Sequence, residues 1–121
     1  MKKLSKIELS LQDLILVERN HLSDERGFFT RLFCANELKV AGWTKPIQQI
    51  NFTKTKHKGS IRGMHFQKNG HEEAKLVRCI RGEIQDTIID LRPESTTYLE
   101  TYSITLNENS NKMIYEKFIN N

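Results

Sequence analysis

The sequence predicts an all-β single domain, a sandwich or small barrel, and three observations carry that expectation. The apolar residues fall in short segments, namely LQDLILVE (11–18), FFTRLFC (28–34), IQQINFT (47–53), SIRGMHFQ (60–67), AKLVRCIR (74–81), EIQDTIIDL (83–91) and YLETYSITL (98–106). Each has the length of a strand and is rich in β-branched or aromatic residues. Polar, Gly, Pro or Asn signals separate them, and such near-regular spacing favours strands that each point one face inward. Finally, 121 residues form one core comfortably, whereas two cores would each be marginal.

Element by element, the first segment leads into DERGFF (24–29), which reads as a turn entering a strand, with Arg26 at the surface and Gly27 easing the turn. ANELKVAGW (35–43) is the one stretch with helical character, ending near Gly42. In 47–53, Gln49 and Asn51 share one strand face and either meet a ligand or are merely wet; periodicity does not decide which. In 83–91, Ile84, Asp86, Ile88 and Asp90 share a face, so neither side of that strand is purely apolar and a polar cavity is conceivable.

Composition narrows the function classes. With 37% hydrophobic and 28% charged residues the chain suits a soluble globular domain, without a repeat or a low-complexity linker. No apolar run approaches a membrane span, and MKKLSKIELS lacks the apolar stretch of a signal peptide, so a cytoplasmic protein is expected, with no membrane partner. Cys34 and Cys79 have no paired spacing and are expected to be reduced, small apolar side chains. The net charge of +4 is uneven: nine Lys and Arg lie between Lys45 and Arg81, against Glu72 and Glu73. Such a stripe attracts phosphorylated molecules or polyanions, or is simply a solvated surface. It has no stacking aromatics or docking element for nucleic acid, which is not expected as a partner.

The chemistry concentrates in GSIRGMHFQKNGHEEAKLVRCIRG (59–82). On a strand, His65 and Gln67 point one way and Arg62 the other. Gly63 between them can relieve that conflict as a bulge, so that both Arg62 and His65 face one cavity. An imidazole is a base near neutrality, an arginine grips phosphate with two hydrogen bonds, and Lys75 supplies a cation for a developing oxyanion. A structural histidine is the alternative. A metal site is disfavoured, because Gln67 stands where a second ligand histidine would follow and an amide is a poor replacement; His71, Glu72 and Glu73 are nearby. His21 and His57 lie in polar segments and are expected to be solvated.

DERGFF, Gln-x-Asn within IQQINFT, RGMHFQ, AKLVRCIRGE and IDLRPES, in this order, resemble the dTDP-4-dehydrorhamnose 3,5-epimerase family, from about Leu14 to about Tyr115. The resemblance implies a cupin-type double-stranded jelly-roll barrel, a homodimer, and neither metal nor other cofactor. It implies a dTDP-4-keto-6-deoxyhexose substrate, epimerised at the two carbons beside the keto group by removal and return of protons, the keto oxygen holding the charge as an enolate. By position, His65 resembles the general base and Lys75 the cation at the enolate oxygen. Arg26 and Arg62 resemble the diphosphate contacts, Gln49 and Asn51 polar positions of the nucleotide or sugar site, and Phe28 an apolar contact there.

The chain also departs from the family pattern. Arg31 stands where a glutamate is usual, Ile50 and Phe52 replace an acid and a histidine, and Thr97 stands near a usual Pro-Thr pair. After NKMIY the family continues Pro-x-Gly-Phe-Ala-His-Gly-Phe, then a tyrosine acid and an aspartate that orients the base, whereas this chain reads EKFINN. The jelly roll is therefore expected to be incomplete at the C-terminus, with edges for a partner chain to cover. Tyr115 precedes that region and is not expected to replace the acid. A catalytically impaired remnant that still binds nucleotide sugar is the alternative reading.

Overall fold

The structure, a computed structural model, describes residues 4–19, 22–65 and 74–117. Its centre is an antiparallel sheet of β1 (Ser5–Glu8), β2 (Leu14–Glu18), β8 (Lys112–Glu116) and β5 (Lys75–Val77), in the order β1-β2-β8-β5. The hairpin β3 (Leu22–Asp24) and β4 (Gly27–Phe29) stands apart, and β6 (Glu83–Ile89) pairs with β7 (Thr101–Asn107) in a two-stranded ribbon.

The middle of β2 reads Leu-Ile-Leu-Val, and all four side chains are buried because apolar layers cover both faces of the sheet. Leu14, Leu16 and Ile114 point one way and pack with Ile88 of β6 and Leu106 of β7. Ile15, Val17, Met113 and Tyr115 point the other way, onto Leu38 and Ala41. Those last two belong to α1 (Ala35–Leu38) and the 3₁₀ turn Lys39–Ala41 that follows it. The helical stretch ends as the sequence predicts: Gly42 takes φ +96° and donates its N–H to the Lys39 carbonyl at 2.9 Å.

IDLRPES serves this packing. Asp90 is fully buried and accepts from Arg92 Nε at 3.0 Å and Thr97 Oγ1 at 2.6 Å. Arg92 also reaches Asp13 Oδ2 at 2.8 Å and the Gln12 carbonyl at 2.7 Å, which ties the β1–β2 turn to the β6–β7 connection. Burial raises the Asp90 pKa, but hydrogen bonds from Arg92, Ser95 and Thr97 override it and hold the carboxyl well below its ordinary range.

Several elements differ from the sequence expectation. Strands β1 and β8 form at SKIE and KMIYE, which lie outside the seven apolar segments. The strands expected over 47–53 and 60–67 do not form in the described part of those segments. Residues 44–65 are exposed, and no neighbouring described chain completes a ladder with them. A strand exists only when its N–H and C=O groups meet those of a second strand. Residues 66 and 67 lie outside the described residues. Both cysteines are free; Cys79 is buried, as expected for a small apolar side chain. No helix among the described residues is long and apolar enough to cross a membrane.

Candidate functional site

The candidate residues arrive from three parts of the chain. Arg26 and Phe28 sit on the β3–β4 hairpin, where Asp24 pairs with Gly27 in register. Asp24 accepts the Arg26 backbone N–H at 2.9 Å and Arg26 Nη2 at 2.7 Å, an Asx-type turn that fixes the arginine's base. The Arg26 hydrogen bonds hold the Asp24 carboxyl below its usual range. The Arg26 side chain is 87% exposed, which leaves it open to an anion. Arg26 and Phe28 line a shallow groove together with Leu22 and Phe29.

Gln49, Asn51, Arg62 and His65 all lie on the open segment and are exposed. Arg62 Nε donates to Thr55 Oγ1 at 3.2 Å, joining the two arms of that segment. Gly63 takes φ +107°, and a Cβ there would lie 3.4 Å from His65 Nδ1. Gly63 thus takes a conformation that glycine tolerates and that lets the imidazole fold back over the chain, but it does so outside any strand, so the expected bulge within a strand is not what forms. The expectation that Arg62 and His65 face one cavity is not met among the described residues, where both are exposed. No described strand covers this face, so the groups that would form a wall stand in the open.

Lys75 occupies a different setting. It begins β5, half-buried, and lies directly opposite Glu116 in the ladder with β8. Opposed residues put their side chains on the same face, here the one shared with Leu14, Leu16 and Ile114. Glu116 is fully buried there, and Asp86 of β6 contributes a second carboxylate. Burial, reinforced by the Asp86 charge and opposed by the Lys75 ammonium, pushes the Glu116 carboxyl up to about 8. Tyr115, next to it in sequence, points to the other face, where its Oη donates to the Gly42 carbonyl at 3.3 Å and burial raises its pKa. It does not share the face of Lys75.

Among the described residues, His65 and Lys75 therefore come from segments that no ladder joins. Sequence reasoning missed Glu116, which carries no motif; the signal available was an acid inside the apolar run MIYE. Asp86 was legible only as a polar residue on a mixed strand face. Arg31, at the usual glutamate position, places Nη1 3.4 Å from Glu37 Oε1, and the same oxygen accepts from the buried Arg19 at 2.7 Å. Thr97, near the usual Pro-Thr pair, is engaged with Asp90. Among the described residues no group of three His, Cys, Asp or Glu is placed to hold a metal; His21, Gln67, His71, Glu72 and Glu73 lie outside them.

The architecture is that of the cupin-like jelly-roll epimerases. The dTDP-4-dehydrorhamnose 3,5-epimerase of Bacillus anthracis, solved with TDP and pyrophosphate bound, superposes with a TM-score of 0.90 at 32% identity over 97% of this chain and 67% of its own. The Legionella pneumophila enzyme in complex with dTDP-4-keto-L-rhamnose gives 0.89 at 28% identity, over 97% of this chain and 62% of its own. The chain belongs to the dTDP-4-dehydrorhamnose 3,5-epimerase family, whose model matches residues 8–117. Among curated relatives, the Salmonella typhimurium epimerase is 31% identical over 110 residues, which cover 90% of this chain and 60% of that protein. The chain thus spans about three fifths of that relative's length.

Proposed function

We propose that this protein acts on a dTDP-4-keto-6-deoxyhexose as a 3,5-epimerase, with His65 as general base and Lys75 as the cation for the enolate oxygen. Arg26 and Arg62 would hold the diphosphate, with Gln49, Asn51 and Phe28 contacting nucleotide or sugar. The observation that carries the reading is the family match over residues 8–117, which includes every one of these positions. An exposed imidazole beside a glycine, open guanidiniums at two points and a lysine on the sheet suit proton abstraction next to a carbonyl. The substrate, a nucleotide-activated sugar, fits a cytoplasmic setting. The exposed apolar residues Ile50, Phe52 and Ile61 fit a homodimer in which a second copy covers them.

The test is deuterium incorporation from heavy water into the keto sugar. Incorporation by the purified protein that is lost in His65→Ala supports the reading; no incorporation by the unmutated protein ends it.

One observation favours a second reading, nucleotide-sugar binding without catalysis: His65 is exposed, and among the described residues no carboxylate pairs with it to orient its ring. Saturable binding of thymidine diphosphate, weakened by salt and by Arg62→Ala, with no proton exchange, would establish it.

A further inference from the structure

A buried acid beside the lysine of the site is the feature that the proposed reaction leaves unused. Glu116 lies fully inside the protein, between Ile114 on its own strand face and Leu14 directly opposite on β2. β2 therefore offers it no charge. The charged groups that face it are Lys75 from β5 and Asp86 from β6, and β7 places the apolar Ile104 opposite Asp86. One ammonium and two carboxyl groups thus share a single place in the sheet.

We propose that Glu116 is a positioning residue for Lys75: paired across the ladder and working with Asp86, it holds the ammonium where the enolate oxygen would develop. This rests on the reading of Lys75 given above. The chemistry follows from the count of charges. With Glu116 protonated, the cluster is neutral, and Lys75 retains an outward field from its ammonium while Asp86 balances it. Glu116 in that state is both a donor and an acceptor. With Glu116 ionised, two anions surround one cation. The cluster becomes negative, the ammonium is drawn inward, and the site opposes rather than favours a developing oxyanion. The raised pKa of Glu116 places that change just above neutrality.

The test uses the full chain and two readouts. Lysines are dimethylated with a carbon-13 label, the Lys75 signal is assigned with Lys75→Arg, and its titration is followed by NMR. The ionisation of Glu116 is expected to appear on the Lys75 signal as a step near pH 8. Glu116→Gln is expected to abolish that step, and Asp86→Asn to move it to lower pH, because the Asp86 charge helps to raise the Glu116 carboxyl. A Lys75 titration unchanged in Glu116→Gln overturns the proposal, whether or not the protein epimerises anything. The second readout is the pH profile of deuterium incorporation, which is expected to fall above about pH 8 and to extend to higher pH in Glu116→Gln. An alkaline limb that stays in place in Glu116→Gln also overturns it. Absence of incorporation at every pH would end the epimerase reading instead, and the lysine titration would still decide the contact.

Discussion

In β2, Leu14 to Val17 are all buried, since β1 and β8 flank the strand and apolar layers cover both of its faces. In residues 47–53, Ile50 and Phe52 alternate with Gln49 and Asn51 just as regularly, yet Ile50 is 84% and Phe52 79% exposed. The two stretches differ little in β-propensity. They differ in what stands beside them: a strand needs a second set of backbone groups at hydrogen-bonding distance, and a face needs something to cover it. The candidate site spans both kinds of region. Lys75 stands in the closed sheet, while His65, Arg62, Gln49 and Asn51 stand on the open segment.

The largest expected effect lies in the closed region. Arg92→Ala would leave the buried Asp90 without its cation and is expected to cost about 3–5 kcal/mol in a denaturant titration. The loss should shrink in acid, because a depressed carboxyl contributes stability above its unfolded pKa and loses it as pH falls through its folded one. Ile88→Ala, at a fully buried position, is expected to cost about 2–5 kcal/mol, against less than about 0.5 for Ile61→Ala at 92% exposure. Equal losses at the two isoleucines would erase the contrast.

Glu116 gives a smaller, pH-dependent effect. Its carboxyl ionises near 4.5 when unfolded and near 8 when folded, so between those values the native state binds more protons. Stability should therefore fall as pH rises through that window, by up to about 1.4 kcal/mol per unit. Glu116→Gln should flatten this slope in melts at pH 5, 6.5 and 8. Arg26→Ala removes only an exposed, solvent-screened ion pair and is expected to leave the denaturation midpoint essentially where it is. Calorimetry should nevertheless show weaker thymidine diphosphate binding in that variant.

Much of the frame was legible. The apolar segments at 83–91 and 98–106 became β6 and β7, and ANELKVAGW became a helical stretch that stops at Gly42. The turn at Gly27 followed from the conformations that glycine permits, whereas Gly63 takes a left-handed φ without a strand around it to bulge. Strand β8 escaped notice because KMIYE mixes an acid and a lysine with its apolar residues, and only the sheet shows why Glu116 is tolerated there. The strands at 47–53 and 60–65 were over-read for the opposite reason. Their alternation records a face made to be covered, which is a property of two chain segments, and sequence periodicity reports on one.

Amide hydrogen exchange of the whole chain, read residue by residue, tests this contrast most directly. Residues 14–18 and 112–116 should exchange slowly, near the rate set by global unfolding, while residues 47–53 and 60–65 should exchange within the earliest time points. Comparable protection in both regions would mean that the open segment has a ladder after all, and would contradict the division on which the account is built.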